Sequence, residues 1–121
     1  MKIIIAGGRN FTDYKKLCKT CDQILQDQTD LEIVSGAYYK GADKLGEKYA
    51  AEKGFKLTKF LADWNKLGRA AGPKRNEQMA NYADALIAFW DGKSRGTKNM
   101  IELAENRGLK INISQITSNN I

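Results

Sequence analysis

Apolar residues along this chain follow two rhythms, and the switch between them separates strands from helices. Residues 2–6, 31–35 and 85–90 are short, nearly continuous apolar runs, as expected of parallel strands covered by helices on both faces. Residues 56–60 alternate polar and apolar positions like an edge strand, and residues 110–113 read as a last short strand. Between these runs the apolar positions recur at helical spacing. Tyr14, Leu17, Cys18, Cys21, Ile24 and Leu25 trace one stripe of a helix predicted from an N-cap at Thr12 to about residue 28. Leu45, Tyr49 and Ala50 share a face of a second helix that Gly54 stops. Pro73 suits the first turn of a helix over about residues 74–82, and Gly108 closes another over residues 97–107. Residues 62–72 are predicted to be an irregular polar connection, and residues 114–121 a frayed tail.

Strands alternating with helices predict a parallel sheet with right-handed crossovers. The expected fold is α/β, a single Rossmann-like three-layer domain over residues 1–113 with a five-stranded parallel sheet, helices on both faces, and a C-terminal tail at 114–121. A chain of 121 residues holds one such domain. With 42% hydrophobic and 28% charged residues and a single proline, disordered and fibrous classes are excluded. The apolar run at residues 3–6 is too short for a signal-peptide core or a membrane span, so a cytoplasmic protein with no membrane partner is expected. Cys18 and Cys21 have the spacing of a redox or half-zinc pair, yet both fall on the first helical stripe, where core packing is the better reading. There is no histidine and no second cysteine pair, so no metal site, disulfide or cofactor is expected.

The net charge of +6 suits a polyanionic partner, and the placement of the cations carries more than their sum. In a sheet of order 3-2-1-4-5, ligands bind beyond the strand C-termini where the order reverses, between strands one and four. Gly7, Gly8 and Arg9 then face Asp91, Ser94, Arg95, Gly96 and Thr97 across one crevice, flanked by Gly36, Lys40, Gly41 and Asp43. Glycines let a backbone approach a ligand closely, and free amides at helix starts attract anions. One such loop is as readily a tight turn as a cradle; three on one edge favour binding. Arg9, Lys40, Arg69, Lys74, Arg75, Arg95 and Lys98 lie in or beside these loops. A charge-assisted hydrogen bond is worth about 1.5–3 kcal/mol, so a few of them plus stacking hold a micromolar ligand. Tyr38, Tyr39, Trp64 and Trp90 are stacking candidates, with core packing an equal alternative for Trp90. The stretch 68–76 places Arg69, Lys74, Arg75 and Asn76 at a helix start. Cations there oppose the helix dipole by up to about 1 kcal/mol each, which implies an anion between them.

These stretches also resemble a known family. Gly7-Gly8-Arg9-Asn10-Phe11-Thr12-Asp13, Val34-Ser35-Gly36 with Gly41-Ala42-Asp43, Ala62-Asp63-Trp64, Gly68-Arg69-Ala70-Ala71-Gly72-Pro73-Lys74-Arg75-Asn76, and Ala85-Leu86-Ile87-Ala88-Phe89-Trp90-Asp91-Gly92 with Ser94-Arg95-Gly96-Thr97 are similar to the YspA/YpsA-related branch of the SLOG superfamily. That superfamily also holds the DprA/Smf and LOG proteins. The resemblance runs to about residue 113 and implies a Rossmann-like fold that recognises nucleotides, nucleotide-derived signals or nucleic acid. LOG enzymes hydrolyse the N-glycosidic bond of nucleoside monophosphates with an arginine before one helix and a glutamate in a Pro-Gly-Gly-x-Gly-Thr-x-Glu-Glu motif. Arg75 stands where that arginine would, and Gly96-Thr97 aligns with the Gly-Thr, but the glutamate positions carry Asn99 and Met100.

The favoured reading is therefore binding or sensing of a phosphate-bearing, nucleotide-like small molecule at the C-terminal edge of the sheet. One alternative is an N-glycosidase or phosphoribohydrolase acting on a nucleoside phosphate, its carboxylate supplied by Asp91, Asp63 or Asp43; capping or turn formation explains each aspartate more simply. A second alternative is single-stranded nucleic-acid binding, motivated by charge and by the DprA relationship. A homo-oligomer is compatible with this sequence.

Overall fold

In the computed structural model, which describes residues 1–117, five parallel strands form one sheet of order β3-β2-β1-β4-β5. They are β1 (Lys2–Gly7), β2 (Glu32–Ser35), β3 (Lys56–Lys59), β4 (Ala85–Trp90) and β5 (Lys110–Gln115). The expected Rossmann-like α/β fold and its strand order are present. The two central strands pair from Ile3 with Ala85 to Gly7 with Phe89, so their C-terminal ends finish side by side.

Side chains alternate across a strand, and here the alternation divides two cores. Ile3, Ile5, Ile33, Ile87 and Phe89 pack on one face with Leu17 and Cys21 of α1 (Tyr14–Ile24) and Tyr49 of α2 (Gly41–Lys53). Ile4, Ala6, Val34, Leu86 and Ala88 pack on the other with Met79 of α4 (Ala71–Tyr82) and Met100 and Ala104 of α5 (Arg95–Asn106). Cys18 and Cys21 are free thiols, and burial pushes the Cys21 thiol up to about 12. No helix among the described residues is long and apolar enough to cross a membrane.

Several boundaries differ from the sequence expectation. The cap of α1 is Asp13, not Thr12: its Oδ1 accepts the Lys16 amide at 3.1 Å. That helix ends at Ile24, not near residue 28, because Asp27 turns into a left-handed conformation (φ 69°) and sends the chain toward β2. Residues 62–72 are not irregular. Asp63 caps a short α3 (Trp64–Leu67) by accepting the Lys66 amide at 3.1 Å, Gly68 turns the chain through φ 56°, and a 3₁₀ turn leads into α4 at Ala71. Burial of Ala71 and Gly72 draws that start three residues ahead of Lys74. Likewise α5 begins at Arg95 rather than Thr97. At the C-terminus β5 continues to Gln115 beside Trp90, and Ile116 is buried among the α1–α2 core residues, so residues 114–116 are part of the folded domain. Residues 118–121 of the expected tail lie outside the described residues.

Candidate functional site

Leaving the sheet, β1 connects to α1 on one face while β4 connects to α5 on the other. The divergence opens a crevice above the paired ends of the two strands. It holds a cavity of about 350 Å³ lined by Gly7, Arg9, Lys40, Asp43, Arg75, Asn76, Ser94, Arg95, Gly96 and Thr97, together with Ala6, Tyr38, Met79 and Met100.

Two loops form one wall by docking on each other. The Gly8 carbonyl accepts the amides of Phe11 (3.3 Å) and Ala42 (3.1 Å), joining the β1–α1 loop to the start of α2. Gly41 makes this docking feasible: it is left-handed (φ 76°), and a Cβ there would lie 2.5 Å from the Gly8 and Arg9 carbonyl oxygens. Beside it Ala37 is also left-handed (φ 61°), a costly conformation for a residue with a Cβ. The turn is held by two side chains: Ser35 Oγ accepts the Ala37 amide at 3.0 Å, and Asp43 Oδ2 accepts the Tyr38 amide at 3.1 Å.

Arg75 joins this wall to α4. Its Nη1 donates to the Gly36 carbonyl at 2.5 Å, and a Cβ at Gly36 would lie 2.9 Å from both Arg75 Nη1 and Asp43 Oδ2. Arg75 Nε donates to Asn76 Oδ1 at 3.0 Å, while Asn76 Nδ2 donates to Asn99 Oδ1 (2.9 Å) and the Gly96 carbonyl (3.4 Å). One chain of polar contacts thus links β2, α4 and the first turn of α5. Burial raises the Asp43 carboxyl above the ordinary range, opposed by the Tyr38 amide and by Arg75. Burial also lowers the Arg75 guanidinium, opposed by Asp43.

The opposite wall is the start of α5. Asp91 Oδ1 accepts the amides of Lys93 and Ser94, each at 2.8 Å, and those amides hold its carboxyl below the ordinary range. Trp90 Nε1 donates to the Ser94 carbonyl at 3.1 Å, so its indole braces this loop. Arg9 lines the cavity with its guanidinium 4.4 Å from the Tyr38 ring and 5.9 Å from that of Trp64.

The sequence candidates separate into four groups. Eleven of them, Tyr38 included, line the cavity directly, as given above. Gly8, Gly36, Gly41 and Asp91 shape its loops without lining it. Trp64 lines a second, adjoining lobe. Arg69, Lys74 and Asp63 line neither: Arg69 is exposed on the 3₁₀ turn, Lys74 reaches Glu77 at 3.7 Å, and Asp63 caps α3. Tyr39 is exposed, with Lys40 5.9 Å from its ring and bonded through Nζ to Asn10 Oδ1 at 3.0 Å. Sequence reasoning missed the floor residues Ala6, Met79 and Met100 and the contact role of Asn99. Met79 and Met100 stand three residues after Asn76 and Thr97, so helical spacing from two named candidates pointed to them.

Four cations, Arg9, Lys40, Arg75 and Arg95, line the cavity against one carboxylate, Asp43. Among the described residues none of the ion pairs takes up an arginine. The positive field of the three guanidiniums is reinforced by the amide end of α5, which suits an anion. No group of three or more His, Cys, Asp or Glu among the described residues is placed to hold a metal ion.

Comparison with known proteins agrees with this architecture. The model of a family described as "YspA, cpYpsA-related SLOG family" matches residues 1–67. The chain is 30% identical over 117 residues to Gene 61 protein of Mycobacterium phage D29, covering 91% of this chain and 93% of that protein. In structure it is similar to DNA processing protein A (DprA) from Streptococcus pneumoniae, with a TM-score of 0.75 at 19% identity. That match covers 98% of this chain and 52% of DprA, so the chain spans about half of the DprA length.

Proposed function

Since this chain belongs to the YspA, cpYpsA-related SLOG family, we propose that it binds a phosphate-bearing, nucleotide-like small molecule in the crevice between β1 and β4. The observation that carries this reading is the convergence of Arg9, Lys40, Arg75 and Arg95 on one cavity with a single lining carboxylate. A phosphate accepts hydrogen bonds from guanidiniums and helix-start amides together, and each charge-assisted bond contributes about 1.5–3 kcal/mol. Methionine side chains on the floor offer a soft apolar surface to the rest of such a ligand.

Recognition is better supported than hydrolysis. Asp91 is occupied by two loop amides and Asp63 by a helix cap, and neither lines the cavity. Asp43 does line it, so any glycosidase activity would depend on Asp43.

Titration calorimetry against nucleoside monophosphates, ADP-ribose and cyclic dinucleotides tests the reading. At least one should bind at micromolar concentration, and Arg95→Ala should weaken it about tenfold or more. Lys74→Ala should leave affinity unchanged, because Lys74 faces Glu77 outside the cavity. No binding at millimolar ligand would overturn the proposal. Free base released from these compounds, and lost in Asp43→Asn, would move the assignment to hydrolysis.

A further inference from the structure

The cavity and the lobe beside it share one boundary. Arg9, Arg75, Asn76, Arg95 and Gly96 wall both of them. Three guanidiniums and part of the first turn of α5 therefore stand at the junction. What each lobe adds alone is different in kind. The larger, about 350 Å³, adds one cation and one carboxylate, Lys40 and Asp43, over its methionine floor. The second, about 340 Å³, adds Trp64, Gly72, Pro73 and Asn99, none of them charged. Positive charge is concentrated where the lobes meet.

Trp64 offers a planar surface in the second lobe. Its indole stands over Gly72, where a Cβ would come within 3.2 Å of Cη2, and 45% of the residue remains exposed. An aromatic ring laid on that indole would withdraw apolar surface of both from water. Asn99 adds an amide to the same lobe, with Oδ1 already accepting from Asn76.

Resting on the reading that the site takes a phosphate-bearing, nucleotide-like ligand, we propose that this ligand is two-headed. A phosphodiester or pyrophosphate linkage lies at the Arg9–Arg75–Arg95 junction, one nucleoside-like unit occupies the larger lobe, and a planar ring stacks on Trp64 in the second. A mononucleotide fills one lobe and leaves the indole wet. The site has two compartments, so affinity stops rising after two units.

Calorimetry on the full chain compares AMP and GMP with the linear dinucleotides pApA and pGpG and with pyrophosphate-linked diadenosine diphosphate. ADP is the control for added charge without a second ring. At least one linked compound should bind about tenfold or more tighter than its mononucleotide and than ADP, and the better arm identifies the linkage. The advantage should fall below about threefold in Trp64→Ala and return in Trp64→Phe, which keeps a ring. Circular dichroism verifies that both variants remain folded. Mononucleotide binding with no gain from any linked compound would overturn the two-headed ligand and leave the nucleotide reading intact. Affinity that keeps climbing through longer strands would overturn it in favour of a nucleic-acid strand, and absence of binding by every compound would overturn both readings.

Discussion

Gly41 shows how much of the site depends on single backbone positions. Its left-handed φ of 76° is coupled to close packing against the Gly8 and Arg9 carbonyls, so conformation and space both exclude a side chain. Gly92 has a similar φ of 83° but nothing within 4 Å of a built Cβ. Gly92→Ala should therefore cost only the left-handed penalty, about 1–2 kcal/mol, whereas Gly41→Ala adds a clash and should cost more than that. Urea unfolding of both variants measures the difference, and equal losses would disprove the packing role. The sequence presents both residues alike, as glycines in loops between a strand and a helix. Only the docking of two loops distinguishes them.

At the scale of elements, the site depends on how α4 is tied to α5. Asn76 is buried, accepts from Arg75 and donates to Asn99 and to the Gly96 carbonyl. Asn76→Ala leaves the partners of these bonds unmet in a mostly buried position and should cost about 1–3 kcal/mol. A double-mutant cycle with Asn99→Ala should give a coupling of about 1 kcal/mol, and additive losses would show that the pair does not act together. Element identities were legible because each period is long enough to read. The misread stretch at residues 62–72 shows the limit. Its three- and four-residue helical turns carry no period, and the early start of α4 depends on burial of Ala71 and Gly72 that no local pattern announces.

The polar networks around Arg75 and around Glu32 stand at opposite ends of β2. At the end of the sheet from which β1 and β2 begin, Glu32 accepts Thr58 Oγ1 at 2.8 Å, lies 3.5 Å from Lys56 Nζ, and takes the Tyr82 hydroxyl in a short hydrogen bond. It thereby joins β2, β3 and the end of α4. The Tyr82 bond, helped by Thr58 and Lys56, lowers the Glu32 carboxyl below its ordinary value. Its folded pKa lies below the unfolded value of about 4.3, so its contribution is fully present above that pH and is lost as pH falls through the folded value. Asp43, raised by burial, acts in the opposite sense: its ionisation disfavours the folded state as pH rises from the unfolded value through the raised one. Glu32→Gln should lower Tm at neutral pH by a few degrees and flatten the acid side of the Tm–pH curve, read by thermal melts from about pH 3 to about pH 7. An unchanged acid slope would remove Glu32 from this role.

By itself the sequence determined the five strands, the long helices between them and the parallel α/β class; the strand order entered as a condition, and with it the edge where the loops gather. Strand burial, helical period and the alternation of the two are local properties, and crossover handedness limits how the strands can be arranged. Glycine-bearing loops at one edge are thus legible in Gly7, Gly36 and Gly96 as residues. Which cations share a cavity was not legible, since that depends on distances between chain segments far apart in sequence. Arg69 and Lys74 lie beside Arg75 in the sequence, yet only Arg75 turns inward, because its guanidinium reaches the Gly36 carbonyl across the crevice while Lys74 meets Glu77 outside it. Tertiary structure alone decided that Arg9, Arg75 and Arg95 converge, since the packed sheet brings together the β1–α1 loop, α4 and the start of α5, and the turn between α3 and α4 sets Trp64 over Gly72 beside them.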